Sequence, residues 1–263
     1  MKKLVHALVL TGLVGMPAFA MADEAASPLT ANIGLTTNYV FRGISQTQNG
    51  PAIQGGIDYT HPSGFYLGTW GSNVSWVSVV DSSGNAFKNN NSMELDLYGG
   101  YRGTLPADIG YDVGVITYYY PGNKVAGVES PDTTEAYVGA TWKFLNLKYS
   151  HVVSDNFVGW YDYTNAKKTR NSNYIELNAN YDLGGGWGVL GHVGHQKVKN
   201  LSAADYTDYK VGVSKDVGFG VFTLAYTDTD ADTAVYTWTT STAGDNMKKV
   251  ADGHLFLSFN KTF

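Results

Sequence analysis

Apolar and polar residues alternate along most of this chain, and the alternation is cleanest from residue 29 onward. Leu29, Ala31, Ile33, Leu35, Thr37, Tyr39 and Phe41 alternate with Thr30, Asn32, Gly34, Thr36, Asn38, Val40 and Arg42. Successive side chains of an extended strand point to opposite faces, so this spacing predicts a strand with one apolar and one polar face. Further strands are predicted at 53–60, 64–71, 93–102, 109–120, 134–142, 145–150, 174–181, 187–196, 206–215, 219–227 and 254–263. The total is twelve. Ten or fourteen stay open, because 236–240 could extend a strand or form a small hairpin.

The connections alternate in length. Tight turns fall at His61-Pro62-Ser63-Gly64, Leu105-Pro106-Ala107-Asp108, Lys143-Phe144, Gly184-Gly185-Gly186 and Asp216-Val217-Gly218. Polar loops centred near residues 47, 80, 127, 162, 201 and 240 separate the same strands on the other side. Outer-membrane barrels keep short turns on the periplasmic side and longer loops outside. A soluble sandwich has no physical reason to keep every second connection tight. The expected fold is therefore all-β, a transmembrane antiparallel β-barrel of twelve strands with both termini periplasmic.

Both ends of the sequence fit export to the bacterial outer membrane. Residues 1–22 begin with Lys2 and Lys3, continue through LVHALVLTGLVGM and finish on small residues, the layout of a secretory signal peptide. Cleavage is expected after Ala22, with Ala18-Phe19-Ala20 as the other pattern, leaving a barrel domain at 23–263. The stretch HLFLSFNKTF, 254–263, carries Leu255, Leu257, Phe259 and Phe263 on one face and reads as the closing strand. In hydrocarbon every backbone group must be paired, so the last strand has to meet the first.

Composition removes several alternatives. There is no cysteine, hence no disulfide staple or thiolate metal site, and no cofactor is expected. The net charge of -5, with no basic cluster, disfavours nucleic acid as a partner. Trp70, Trp142, Trp187, Tyr101, Tyr181 and Phe263 near strand ends are expected at the membrane interfaces. By parity the residues expected to line the lumen are Arg42, Asp58, Glu94, Asp96, Tyr98, Arg102, Asp112, Tyr118, Glu135, Tyr137, Lys148, Glu176, His192 and Lys210. Tyr66, Trp70 and Tyr226 are further aromatic candidates, the last two less firmly placed by parity. Acidic groups outnumber basic ones inside, which leans toward cations.

Catalysis finds little support in the spacing. His151 and Ser154 differ by three, so on a strand they face opposite ways. His254 and Ser258 share a face but stand about 13 Å apart along an extended strand. His192 and His195 oppose one another without a neighbouring carboxylate in sequence. The triplet Asp228, Asp230, Asp232 lacks the glycine and glutamate of a calcium loop.

One resemblance adds to this. The run Asn38-Tyr39, Phe41-Arg42-Gly43-Ile44-Ser45-Gln46, Pro51-Ala52, Gln54-Gly55, Asp58-Tyr59 and Gly64-Phe65-Tyr66, followed by Glu94-Leu95-Asp96 and Gly99-Gly100-Tyr101, closely resembles the TorF-type porin family of bacterial outer-membrane proteins. The resemblance implies passive diffusion across the outer membrane, with no established substrate and no catalytic residue. Within that match Arg42 stands out, expected on the polar face at the outer end of the first strand near Asp58, with Gly43 relieving the backbone where the chain leaves the sheet. The expected function is a porin-like channel for small hydrophilic solutes or ions. A closed structural or adhesive barrel and a lipid-modifying enzyme are the alternatives. Expected partners are outer-membrane lipid and lipopolysaccharide, the barrel-assembly machinery during insertion, and the solutes themselves, with the protein a monomer.

Overall fold

The computed structural model describes residues 27–78, 88–89, 91–124, 127–239 and 245–263. The expected signal peptide lies outside them. Twelve strands close into one barrel: β1 Leu29–Thr36, β2 Ala52–Thr60, β3 Phe65–Asn73, β4 Met93–Leu105, β5 Ile109–Tyr119 and β6 Thr133–Trp142. The ring continues through β7 Leu145–Val152, β8 Asn173–Gly184, β9 Trp187–Lys197, β10 Tyr206–Asp216, β11 Val221–Thr229 and β12 His254–Thr262. Every neighbour is antiparallel. The ring closes where β1 meets β12, with Asn32 opposite Thr262 and Thr36 opposite Ser258.

The period-two pattern explains the wall. Leu35, Ile53, Ile57, Leu67, Leu97, Val115, Val211 and Leu255 are exposed on the outside. Their neighbours Gln54, Ser72, Glu94, Asp96, Asp112 and Ser258 are buried inside. An apolar exterior around a polar interior inverts a soluble sandwich, and it is stable only with hydrocarbon outside. Among the described residues no helix is long and apolar enough to cross a membrane, which leaves the crossing to the strands. The five tight turns lie at one end, together with the start of β1 and the end of β12.

The first strand departs from expectation. Instead of running to Arg42, β1 stops at Thr36, and the chain folds inward before returning to the wall at Ala52. The inward segment is a hairpin in which Val40 pairs with Ser45 and Phe41 with Ile44. Its two turn residues, Arg42 (φ 48) and Gly43 (φ 77), both lie in the left-handed region. That matches a two-residue hairpin turn whose twist suits the flanking strands. Alternation continued through this segment because a hairpin is also extended, so periodicity could not distinguish it from the wall. Tyr39, expected toward lipid, is buried inside, and Phe41 packs edge to face on Tyr118 at 5.5 Å.

Two aromatics that parity left open are fixed by the barrel. Trp70 faces inward, which is the lumen reading and not the girdle one, packing on Tyr39 with ring centroids 5.6 Å apart. Tyr226 faces out, at 45% exposure. Trp142, Trp187 and Tyr181 are exposed next to the tight turns. Thr237–Trp238 pairs with Lys248–Lys249, so the ambiguous stretch is a small loop hairpin and the wall stays at twelve strands.

Candidate functional site

The hairpin carries Arg42 across the barrel. Its guanidinium grips Glu135 of β6 with two bonds, Nη2 to Oε2 at 2.6 Å and Nη1 to Oε1 at 2.9 Å. Nη1 also donates to Oε1 of Gln196 on β9 at 2.9 Å, and the guanidinium lies 4.3 Å from the ring centre of Tyr174 on β8. Asp58, the expected neighbour of Arg42, takes its hydrogen bond from the Tyr98 hydroxyl at 2.6 Å instead. The reason is the inward turn, which moves Arg42 off the β1 wall.

Arg42 occupies the left-handed region, which costs an L-residue about 1–2 kcal/mol. Asparagine or glycine would suit that position better. The forked ion pair offsets the cost, because a guanidinium matches a carboxylate with two parallel bonds. Gly43 is needed for a second reason besides its φ. A Cβ there would stand 2.5 Å from Asp208 Cβ and Thr229 Cγ2, so the tip abuts the wall at β10 and β11.

Around this crossing the polar interior forms three connected groups. In the first, Tyr39 and Tyr120 donate to the two oxygens of Glu94 at 2.7 and 2.8 Å, and Tyr118 reaches Glu135 Oε2 at 3.4 Å. Asp96 sits in the same layer, fully buried, with neither carboxylate oxygen partnered among the described residues. In the second, nearer the tight turns, the Tyr66 hydroxyl donates to Asp112 at 2.6 Å and touches the Tyr137 hydroxyl. Arg102 donates to Thr60 at 2.6 Å and lies over the Tyr66 ring. Lys148 Nζ stands 4.3 Å from the centre of the Tyr137 ring.

The third group is built on His192. Its Nε2 is 2.8 Å from Asp208 Oδ2 and its Nδ1 is 2.7 Å from Asn178 Oδ1. Tyr174 donates to the other Asp208 oxygen at 2.7 Å, and Asn178 donates to Glu176 at 3.0 Å. Lys210 lies opposite His192 in the register. The carboxylate that His192 lacked in sequence thus arrives from the neighbouring strand. Both ring nitrogens are engaged, so the imidazole is fixed within a network. Among the described residues no group of three or more His, Asp or Glu side chains is arranged to hold a metal ion.

A void of about 30 Å³ lies between Arg42, Tyr118, Lys148, Glu176, His192 and Lys210. On the loop side of the hairpin there is a much larger cavity, about 810 Å³, with Phe41 in its lining together with loop aromatics. The strand pattern gave no hint of that cavity, because Phe157, Trp160, Tyr236 and Trp238 come from loops without periodicity. Tyr120 and Gln196 become partners of the buried charges only because the closed barrel brings them there.

A closed twelve-stranded antiparallel barrel with an apolar exterior is an outer-membrane protein of porin-like fold. The barrel of the KdgM porin is similar, at TM-score 0.52 and 8% identity over 89% of this chain and 99% of that one. So is the NanC porin, at TM-score 0.50 and 9% identity over 89% of this chain and 98% of that one. At such identities the likeness is one of fold. No curated protein matches the chain in sequence. The chain belongs to the family described as "Bacterial protein of unknown function (Gcw_chp)", whose profile matches residues 22–263.

Proposed function

We propose that this barrel is a passive outer-membrane channel for small hydrophilic solutes or ions, narrowed by the hairpin that carries Arg42. The observation behind this reading is the combination of a closed wall with an interior of charged and hydroxyl-bearing side chains. A barrel with a purely mechanical role has no need to bury carboxylates, which are costly to take out of water. The water path borders Arg42, Asp58, Glu94, Asp96, Tyr98, Arg102, Asp112, Tyr118, Glu135, Tyr137, Lys148, Glu176, His192 and Lys210. Acidic side chains outnumber basic ones in this set, which supports a weak cation preference.

The tight turns and both termini face the periplasm in this reading, and the domain starts at residue 23 after a cleaved leader of 22. The likeness to the TorF-type porins at Phe41-Arg42-Gly43 supports the same function. Lipopolysaccharide and outer-membrane lipid surround the apolar wall, and the barrel-assembly machinery inserts it. The chain acts as a monomer and takes no cofactor.

Liposome swelling tests the proposal. Vesicles carrying folded protein should swell in isotonic sugars, more slowly as the sugar grows. Rates equal to those of empty vesicles would overturn it. A second reading, the closed barrel, draws support from the small void at the level of Arg42, and the same assay decides between them.

A further inference from the structure

The cavity on the loop side of the hairpin differs chemically from the interior beneath it. None of its described lining residues is Asp, Glu, Lys, Arg or His. Phe41 is shared with the void beneath, and its ring lies 4.8 Å from the Arg42 guanidinium. Tyr236 is the hub of the wall, meeting Trp160 at 5.7 Å, Tyr206 at 5.4 Å and Trp238 at 5.9 Å between ring centroids. These rings are held in place from behind. The Tyr236 hydroxyl donates to the Ala204 carbonyl at 2.7 Å, and the Trp238 indole N–H donates to the Val235 carbonyl at 3.0 Å. Burial pushes the Tyr236 hydroxyl above the usual tyrosine range, so this face stays neutral at ordinary pH.

A preformed aromatic cavity of several hundred cubic ångströms is the usual form of a small-molecule site. The absence of charge among its described lining residues decides the class of ligand. A charged solute entering it would lose hydration with no opposite charge to meet among the described lining residues, at a cost of several kcal/mol. Nine of the lining side chains can hydrogen-bond, but Gln46, Tyr236, Thr237 and Trp238 are already committed to backbone carbonyls, so a sugar would meet more ring surface than uncommitted polar groups. Ring faces and edges, by contrast, favour another ring, by about 0.5–1.5 kcal/mol per well-placed pair beyond simple burial.

We propose that this cavity is a binding site for a neutral, largely apolar, ring-bearing solute, held between Phe41, Phe157, Trp160, Tyr206, Tyr236 and Trp238. Occupancy of the site does not require that the barrel conduct, so its test stands apart from that of the channel. Its position places a bound ring on Phe41, one residue before the arginine that crosses the interior.

Isothermal titration of indole into the folded full-length protein in detergent tests the site, with empty micelles as the blank. Saturable binding is expected, weakened roughly tenfold in Trp160→Ala by loss of one wall. Val235→Asp, which sets a charge in the lining, should abolish it. Trp142→Ala, on the membrane-facing surface, should leave it unchanged. Indole-3-acetate, the same ring with a carboxylate, should bind at least about tenfold more weakly than indole. Heat-modifiable migration on a gel checks that each variant is folded. Absence of saturable heat, equal affinity in folded Trp160→Ala, or equal affinity for the acid would each overturn the proposal. The comparison of indole with its acid uses the unaltered protein and decides even if a variant fails to fold.

Discussion

Arg42 and Glu135, 93 positions apart in sequence, form a buried forked ion pair that ties the inward hairpin to the opposite wall. The pair is nearly dry, with 7% of the arginine side chain and none of the glutamate exposed. Removing one partner of a buried pair leaves the other charge uncompensated, a loss of about 3–5 kcal/mol. Arg42→Ala should therefore lower the denaturant midpoint sharply, and adding Glu135→Gln should recover part of the loss. Equal midpoints for Arg42→Ala and the unaltered protein would show that water already compensates the glutamate.

Gly43 makes a separate prediction about the hairpin. Gly43→Val forces a β-branched residue into the left-handed region and drives its Cβ into Asp208 and Thr229. The strain, about 1–3 kcal/mol for the backbone alone, falls on the hairpin and leaves the wall intact. Trypsin provides the readout, because Arg42 is itself a cleavage site. Folded unaltered protein should resist cutting after Arg42, and folded Gly43→Val should be cut there. Resistance of both would mean that the tip has room to adjust.

The wall was legible in the sequence and the hairpin was not. Ile53, Ile57, Leu67, Leu97 and Leu255 alternate with polar neighbours because lipid and water impose opposite demands on the two faces, and that demand repeats at every strand. Thr37 to Phe41 keep the same alternation for another reason. Tyr39 answers to Glu94, and Phe41 to Tyr118, within the barrel. The one local sign of the turn was Arg42-Gly43, a pair in which only the glycine suits a positive φ. Asp208 beside His192, and Gln196 beside Arg42, depend on register between strands that a single sequence does not display. The loop aromatics of the cavity have no periodicity to read at all.

Topology is testable through the missing cysteines. The chain has none, so a single introduced cysteine reports its own side of the membrane. Thr164→Cys, in the long loop between β7 and β8, should react with a membrane-impermeant maleimide on intact cells. Ser63→Cys, in the tight turn between β2 and β3, should react only after the outer membrane is permeabilised. The reverse pattern would turn the barrel over.

Asp58 tests the cation preference of the proposed channel. It is half-buried and accepts from the Tyr98 hydroxyl, so Asp58→Asn removes a charge while keeping an acceptor for that hydroxyl. The folded variant's reversal potential in a salt gradient should shift toward zero selectivity. An unchanged reversal potential would assign the preference to other groups, while a parent protein that favours anions would remove the preference altogether.

Single-channel recording in a planar bilayer bears most directly on the passage itself. The unaltered protein should give small, reproducible current steps, because the hairpin carries Arg42 across the interior to Glu135 on the far wall. The double variant Arg42→Ala/Glu135→Gln, which frees the hairpin without leaving a lone buried charge, should give distinctly larger steps at the same voltage and salt. A silent bilayer for both proteins, each shown to be folded, would contradict the channel. Equal steps in the two would contradict the hairpin as its constriction.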